Sequence, residues 1–272
     1  MSIPQHILDL LRPLHPDTSF SLRGELVSSD TSDQRYLFKR AQGADAVQLE
    51  GEAASLRAMN EACVEVAPKL VGTGKDDDGK SWMLSEWHEL SSIPSSAQPQ
   101  LAEYLAQMHL SSPPPGTKFG FPVPTRIGDM VERIGDPELK KLETELRERV
   151  IPALLDNLDI KPSILHGDLW SGNARFSENR NQPITFDPSS YYGHSEADLG
   201  ITHMFGGFST AFYKRYHELV PKTEPAEEYE QRQQLYELYH HLNHALMFGG
   251  GYKSGAVRLI RGLLSWADEK GV

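Results

Sequence analysis

Two short segments carry polar side chains whose types and spacing suit phosphoryl transfer. The first is Ile164-Leu165-His166-Gly167-Asp168-Leu169-Trp170-Ser171-Gly172-Asn173, and the second is Ile184-Thr185-Phe186-Asp187-Pro188. Each begins with apolar residues that predict a strand. Asp168, Asn173 and Asp187 therefore follow predicted strands, on turns from which their side chains can converge on one point.

Phosphoryl transfer needs a carboxylate that orients the attacking hydroxyl and accepts its proton, and oxygen ligands for Mg²⁺. Kinase catalytic loops carry the base Asp and a metal-binding Asn five residues apart, and a second metal-binding Asp follows the next hairpin. Asn173 follows Asp168 by five residues, and Asp187 follows it by nineteen. A lone aspartate is more often a turn former or a helix cap, but the three together favour a catalytic base with two Mg²⁺ ligands.

The N-terminal part of the chain predicts a hairpin that leads to a lysine. Phe20–Val27, with Gly24 inside it, predicts one strand, and Arg35–Lys39 predicts the returning strand after a polar turn. In kinases such a hairpin lies over the nucleotide phosphates. The sequence has neither a Gly-x-Gly-x-x-Gly nor a Walker A motif, so a glycine cradle for phosphate is not indicated.

Lys39 is followed by Ala46–Glu61, a segment rich in helix-forming residues. Protein kinases pair a phosphate-holding strand lysine with a glutamate of the next helix. We expect Glu52, thirteen residues after Lys39, to be that glutamate, with Glu50 as the alternative. A solvent-exposed lysine and a solvent-exposed helix face would also fit these residues.

A break in the pattern after Trp87 divides the chain into two predicted lobes. We predict an α+β fold of the bilobal protein-kinase-like type, with a small antiparallel-sheet N-lobe (residues 1–88) and a larger, mainly helical C-lobe (residues 89–272). The remaining elements expected are strands Pro68–Gly74 and Ser81–Trp87 and helices Gln100–Leu110, Pro137–Leu158, Thr210–Val220, Tyr229–Phe248 and Ser254–Trp266.

The segment between these lobes is the predicted hinge. In kinase-like folds the hinge backbone hydrogen-bonds the edge of adenine, so Glu86, Trp87 and His88 are the candidate ATP-binding residues there. Trp87 would fit ordinary packing equally well.

Two other sets of polar residues in the predicted C-lobe are candidates for a structural or functional role. Asp198 lies where a helix is expected to open, and we expect it to hold the catalytic loop through backbone hydrogen bonds, although a carboxylate that favours only the helix start would fit as well. The predicted helix Tyr229–Phe248 carries His240, His241 and His244. A histidine pair four residues apart can bind metal, but no third ligand lies nearby in sequence, which disfavours zinc.

Composition and charge narrow the class of partner. The chain has 27 Lys and Arg against 38 Asp and Glu, a net charge of −11, which disfavours nucleic acid and anionic membrane. No run of 18 apolar residues is present, and the N-terminal residues lack a signal-peptide pattern. The single cysteine, Cys63, cannot form an internal disulfide, which favours a reducing, cytoplasmic location.

Most of the chain resembles the fructosamine kinase (ketosamine-3-kinase) family, which is related to the aminoglycoside phosphotransferases. The His166–Asn173 motif carries the resemblance most specifically. It extends to Phe186-Asp187-Pro188-Ser189-Ser190-Tyr191-Tyr192-Gly193-His194-Ser195-Glu196, Met204-Phe205-Gly206-Gly207-Phe208, Glu50-Gly51-Glu52-Ala53-Ala54-Ser55-Leu56, Phe119-Gly120-Phe121 and Leu242-Asn243-His244.

The resemblance implies ATP- and Mg²⁺-dependent phosphorylation of the 3-hydroxyl of ribulosamine or fructosamine adducts on lysine, in proteins or as free ketosamines. The phosphorylated product sheds its sugar, so the activity is deglycation repair. The family's motifs place its catalytic base at Asp168, its metal ligands at Asn173 and Asp187, and its phosphate-holding pair at Lys39 and Glu52. Its substrate-side segment contains Trp170, Tyr192, His194 and Glu196.

Two departures from the family pattern leave other functions open. The nucleotide-loop hairpin lacks the usual cysteine, and the aromatic-rich insert that usually follows the Thr-x-Ile-Gly segment is missing after Gly128. A phosphotransferase for another small hydroxyl compound, such as an aminoglycoside or a choline-like cation, would fit the negative charge. A pseudokinase-like binding module is the third interpretation.

Overall fold

The structure is a computed structural model that describes residues 3–120 and 127–272. Phe121 of the Phe119-Gly120-Phe121 motif and the first two residues of Thr125-Arg126-Ile127-Gly128 lie outside the described residues.

The small lobe is built on a five-stranded antiparallel sheet. The elements are α1 (Gln5–Leu11), β1 (Phe20–Arg23), β2 (Leu26–Ser29), β3 (Arg35–Ala41), α2 (Ala44–Ala62), β4 (Leu70–Lys75) and β5 (Ser81–Glu86). The strand order in the sheet is β1-β2-β3-β5-β4, and the two helices flank it.

The first hairpin differs from the prediction, because Phe20–Val27 is not one strand. The chain reverses at Gly24 and Glu25, so that Arg23 pairs with Leu26 across a two-residue loop. Gly24 has φ +62°, the left-handed conformation that the first position of such a loop requires and that glycine adopts without strain. The polar segment after β2 is therefore the second turn of the sheet, and β3 is its third strand.

Side-chain alternation places Lys39 on the face of the sheet that meets α2. On the opposite face, Phe38 and Leu84 pack with Ile7 of α1. Met83, which pairs with Lys39 in the β3–β5 register, belongs to the apolar cluster that includes Leu49, Ala53 and Leu56 of α2. Because successive strand residues point to opposite faces, Lys39 lies between the sheet and α2.

Short strands connect the two halves of the chain. They are β6 (Leu90–Ser92), β7 (Ser163–Ile164), β8 (Ala174–Ser177), β9 (Gln182–Thr185) and β10 (Tyr192–Gly193). They form a β6-β8-β9 sheet and a β7-β10 pair, all antiparallel. β6 and β10 are absent from the predicted elements, because strands of two or three residues leave no periodic pattern and exist only through their partners.

The rest of the second lobe is mainly helical. Its helices are α3 (Gln98–Leu110), α4 (Ile127–Ile134), α5 (Pro137–Glu145), α6 (Ile151–Leu155), α7 (Ala197–Phe205), α8 (Thr210–Leu219), α9 (Tyr229–Phe248) and α10 (Gly251–Lys270). The predicted helix Tyr229–Phe248 has the predicted bounds. α9 and α10 pack with α5 around Leu238, Leu242, Ile260 and Leu263.

The single helix predicted over Pro137–Leu158 is helical from Pro137 to Leu155, but it is not one regular α-helix. After α5 the backbone widens into one π-helical turn at Leu146–Val150, and α6 follows. Pro152 lacks the amide hydrogen that a continuous α-helix needs and its ring crowds the preceding turn, which accounts for the irregularity. No helix in the described ranges has the length and apolar character needed to span a bilayer.

Candidate active site

The loop that carries Asp168 contains a glycine at which any side chain would displace the neighbouring backbone. Gly167 has φ +82°, and a Cβ atom there would lie 2.0 Å from the carbonyl oxygen of Ser189. The Ser189 amide donates to the carbonyl of His166 at 2.9 Å. The two segments singled out in the sequence are therefore in direct backbone contact.

Asp198 fixes this loop to α7, as the sequence analysis expected. Its carboxylate accepts the backbone amides of His166 at 2.6 Å and Gly167 at 2.8 Å, and the imidazole of His109 lies 3.1 Å away. Burial acts to raise the pKa of Asp198, but these hydrogen bonds and the nearby histidines lower it below the ordinary value. The carboxylate is thus ionised and holds the loop in one conformation.

Asp168 and Asn173 are in contact. The Asn173 Nδ2 donates to the backbone carbonyl of Asp168 at 2.9 Å and to its Oδ2 at 3.1 Å. Burial raises the pKa of Asp168, against smaller lowering effects of His244 and of the Asn173 hydrogen bond. A raised pKa makes the carboxylate a stronger base, as general-base catalysis near neutral pH requires.

Asp187 presents its carboxylate to the cleft from a strained turn. It has φ +52°, which non-glycine residues adopt uncommonly, and its side chain is 59% exposed. Its Oδ1 lies 3.7 Å from the Nζ of Lys39. Such backbone strain is often found where a side chain has a functional orientation.

Lys39 makes the ion pair with Glu52 that the sequence analysis favoured. Its Nζ donates to Glu52 Oε1 at 2.9 Å and to Oε2 at 3.1 Å. Burial acts to lower the pKa of Lys39, but Glu52 and Asp187 raise it above the ordinary value, so the ammonium stays charged. The alternative, Glu50, instead accepts from Ser81 Oγ at 2.6 Å.

These residues surround one cavity between the lobes. Lys39, Glu52, Asp168 and Asp187 all line a cavity of about 1290 Å³. The geometry suits a nucleotide triphosphate tail, because a charged lysine and the carboxylates of Asp168 and Asp187 line the same cavity.

Asp187 and Asn173 carry oxygens of the kind that Mg²⁺ prefers. Asp187 lines the cavity, whereas Asn173 is not among its described lining residues and is 5% exposed, in contact with Asp168. Because Asn173 uses its Nδ2 to hold Asp168, its Oδ1 remains, and no donor to that oxygen is found in residues 3–120 and 127–272. The exposed Asp187 carboxylate provides a second hard ligand. Asp187 and Asn173 are thus the residues that fit a magnesium ion, whose further ligands would be phosphate and water.

The hinge residues differ in which of their groups are free to hydrogen-bond the edge of adenine. The Trp87 amide already donates to the Arg35 carbonyl at 3.1 Å, and the Glu86 carboxylate bonds Arg180. The His88 ring is buried against Ser177 Oγ at 2.9 Å. In the described part of the chain, the His88 backbone amide and carbonyl have no partner. None of Glu86, Trp87 and His88 is among the described residues that line the cavity above.

The four candidate substrate residues lie in different places. Tyr192 and His194 line the large cavity, and Trp170 lines a neighbouring one of about 540 Å³ that also contains Asp168. The His194 ring is held by Tyr236 and Thr223 at 2.7 and 2.8 Å, and burial lowers its pKa to about 4.

Glu196 does not lie on the substrate side, contrary to what the family resemblance implied. It is absent from the described lining of either cavity, and its side chain is only 3% exposed. Its carboxylate accepts from Arg232 at 2.7 and 3.2 Å and from the Thr223 amide at 2.8 Å. A buried charge must be paired, and this pairing leaves Glu196 no free oxygen for a substrate.

Several residues of α9 line a cavity that was not predicted for them. His240, Asn243 and His244 all line the smaller cavity beside Asp168. Within the two described ranges no group of three His, Cys, Asp or Glu residues could hold a metal, so the histidine pair has no third ligand there. Their common position could have been inferred from their spacing in the sequence, because residues three and four apart lie on the same face of a helix.

The fold and the site together define the protein-kinase-like class of phosphotransferases. The strand lysine paired with a helix glutamate, and the Asp, Asn and Asp of two adjacent loops, match the residue types that members of this class carry at the phosphate and metal sites. An aminoglycoside phosphotransferase, APH(4)-Ia, has a similar structure, with a TM-score of 0.58 at 13% identity over 94% of this chain and 97% of its own. The predicted bilobal α+β class is thereby confirmed.

Comparison of sequences identifies the family within this class. The fructosamine kinase family model matches residues 24–135 and 136–266, and the chain belongs to that family. A ketosamine-3-kinase of Mus musculus is 35% identical over 285 residues, which cover 87% of this chain and 90% of the relative. A crystal structure from Thermobifida fusca YX-ER1, provisionally assigned as a fructosamine-3-kinase, has a TM-score of 0.72 at 23% identity, covering 91% of this chain and 93% of its own.

Proposed function

We propose that this protein transfers the γ-phosphoryl group of ATP to the 3-hydroxyl of a ketosamine, the ribulosamine or fructosamine adduct of a lysine amine. The observation that carries the proposal is the gathering of Lys39, Asp168 and Asp187 around one cavity in a member of the fructosamine kinase family. The product would lose its sugar, which would make the reaction a deglycation step, and we propose the cytoplasm as its location.

Asp168 is the proposed catalytic base. Its carboxylate would accept a hydrogen bond from the sugar hydroxyl and take the proton as the oxygen attacks phosphorus. Asn173 holds Asp168 through the two hydrogen bonds to its carbonyl and carboxylate. Burial raises the pKa of Asp168, which strengthens it as a base. Positioning of this kind supplies most of the catalysis in phosphoryl transfer.

Lys39 is the proposed phosphate-binding cation, and Glu52 keeps it in place. Asp187 and Asn173 would hold Mg²⁺, which neutralises phosphate charge when it is bound. We propose that the backbone of His88 contacts adenine, because its amide and carbonyl have no partner in the described residues. Glu86 and Trp87 would flank it in the hinge, and the N-lobe would end at residue 88.

On the acceptor side we retain Trp170, Tyr192 and His194. The Trp170 ring is 37% exposed and lies 5.4 Å from the ring of Phe205, so both can pack against the C–H face of a sugar. His194 is held by its own hydrogen bonds and would shape the wall of the larger cavity.

A comparison of acceptors tests the function. With ATP and Mg²⁺, we expect phosphorylation of ribulose-lysine or fructose-lysine and little of an aminoglycoside, measured as acceptor-dependent release of ADP and as phosphate incorporated into the acceptor. Preference for the aminoglycoside would instead establish the alternative phosphotransferase. No turnover of any acceptor, with no thermal stabilisation by saturating MgATP, would favour the binding module, since a ligand at 100 times its Kd adds about 2.7 kcal/mol.

Replacing Glu52 with glutamine is expected to raise the KM for ATP about tenfold. The change removes the charge that holds the Lys39 ammonium, and a hydrogen bond between charged groups contributes about 1.5–3 kcal/mol. The matched control is Glu50→Gln on the same helix, whose carboxylate bonds Ser81 instead. Equal KM values for the two variants would contradict the assigned pair.

A further inference from the structure

One face of α9 presents three polar side chains to the cavity that contains Asp168. His240, Asn243 and His244 line this cavity of about 540 Å³, and their spacing of three and four residues places them on one side of the helix. The other described walls include the aromatic rings of Trp170, Phe205, Phe248 and Tyr252. An aromatic wall with a few polar groups is the usual composition of a small-molecule site.

His240 is the buried member of this set. It lines both cavities and is only 7% exposed. Among the residues that the structure describes, neither nitrogen of its ring has a hydrogen-bond partner, and neither is among the buried unpaired side-chain atoms. The residue is nearly buried, but its ring nitrogens keep some accessible surface. A ligand in the cavity can therefore form hydrogen bonds with this ring without displacing a protein partner.

The protonation of His240 specifies the chemistry of that partner. Burial lowers the pKa of His240 to about 4, so the imidazole is neutral near pH 7. A neutral imidazole has one nitrogen that donates and one that accepts. A sugar hydroxyl, which both donates and accepts, can bond to either nitrogen without bringing a charge into the site.

His244 keeps a fixed orientation beside it. Its Nδ1 lies 2.8 Å from the carbonyl oxygen of His240 and donates to it, which leaves Nε2 as the second polar atom of the ring. The ring lies between those of Phe205 and Tyr252, with centroids 5.4 and 5.2 Å away. Asp168 and His244 line the same cavity. The α9 face is therefore close to the catalytic carboxylate.

We propose that His240 hydrogen-bonds the 4-hydroxyl of the ketosamine and thereby positions the neighbouring 3-hydroxyl at Asp168. Asn243 and His244 continue this polar face toward the more distant hydroxyls. The inference rests on the proposed function and assigns the sugar-binding wall to α9. His240 is a positioning and specificity residue, and Asp168 remains the base.

The test combines His240→Leu with a 4-deoxy ketosamine. For the parent ketosamine, we expect His240→Leu to lower kcat/KM about tenfold or more, mainly through a higher acceptor KM, while the KM for ATP changes less than about twofold. With the 4-deoxy acceptor the wild type should lose a similar factor, and the variant should then equal the wild type within about threefold. His240→Asn, which retains a donor and an acceptor, should recover part of the activity.

The matched control is His203→Leu, at an exposed histidine of α7 that lines neither cavity. Thermal unfolding of each variant separates loss of fold from loss of binding. The inference fails if His240→Leu has no effect on the parent ketosamine, or if it lowers kcat/KM by the same factor for parent and 4-deoxy acceptors. If the wild type phosphorylates no ketosamine at all, it is the proposed function that fails.

Discussion

Replacing Asp168 with asparagine is expected to lower kcat by about 10²- to 10⁴-fold, the usual contribution of a general base. Asparagine keeps the shape of the side chain and cannot accept the proton of the sugar hydroxyl. Nucleotide binding should persist, because Lys39 and Asp187 are unchanged, so MgATP should still raise the Tm of the variant. The measurement is steady-state phosphorylation of a ketosamine beside thermal unfolding with and without MgATP.

If Asp168 is the base, its protonation is expected to determine the acid limb of the pH profile of activity. Burial raises the pKa of Asp168, so the folded protein binds this proton more tightly than the unfolded chain does. Activity should therefore fall, as pH falls, at a pH above the ordinary aspartate pKa of about 3.9. Ionisation of Asp168 opposes folding above that pKa, so the asparagine variant should be at least as stable as the wild type at neutral pH.

Asp159→Asn, at an exposed loop residue, is the matched control and should leave both kcat and Tm unchanged. Wild-type turnover by Asp168→Asn would remove Asp168 from the mechanism. A large fall in Tm with lost activity would instead identify a structural role.

Replacing Arg232 with methionine is expected to cost about 3–5 kcal/mol of unfolding free energy. The guanidinium is fully buried and donates to Glu196 at 2.7 and 3.2 Å and to the carbonyls of Pro225 and Thr223 at 2.9 and 2.6 Å. Methionine fills much of the volume but leaves the Glu196 carboxylate buried without its counter-charge. Denaturant unfolding of the two proteins gives the difference.

The double variant Arg232→Met with Glu196→Leu should recover much of the lost stability, because replacing both members of a buried pair with apolar groups is often neutral. Arg261→Met is the control at an exposed pair with Glu138, where the side chains are 63% and 57% exposed, and it should cost less than about 1 kcal/mol. Equal effects of Arg232→Met and Arg261→Met would show that the buried pair contributes no more than a surface one.

The parts of the site that could be predicted were those encoded by local spacing. Asp168 and Asn173 lie five residues apart on one loop, and their contact follows from that loop. Lys39 and Glu52 were predictable because a strand and the next helix are adjacent in the fold. The bounds of α9 were predictable because its apolar residues recur at helical spacing over twenty residues.

The remaining features depend on partners that are distant in the chain. Gly24 was read as a residue inside a strand, because the sequence does not show that its φ is positive. Glu196 was expected to face the substrate, but its partner Arg232 lies 36 residues later. His240 was evaluated only as a metal ligand, because its burial beside Asp168 depends on how α9 packs.

Lys39 also connects the two lobes, since Glu52 belongs to α2 while Asp187 follows β9. The contact with Asp187, at 3.7 Å and largely open to water, is of the kind that contributes about 0–1 kcal/mol. A weak attraction of this size favours a closed cleft yet is readily exchanged for a phosphate oxygen. The contact between Lys39 and Asp187 is therefore expected to cost little to replace when nucleotide binds.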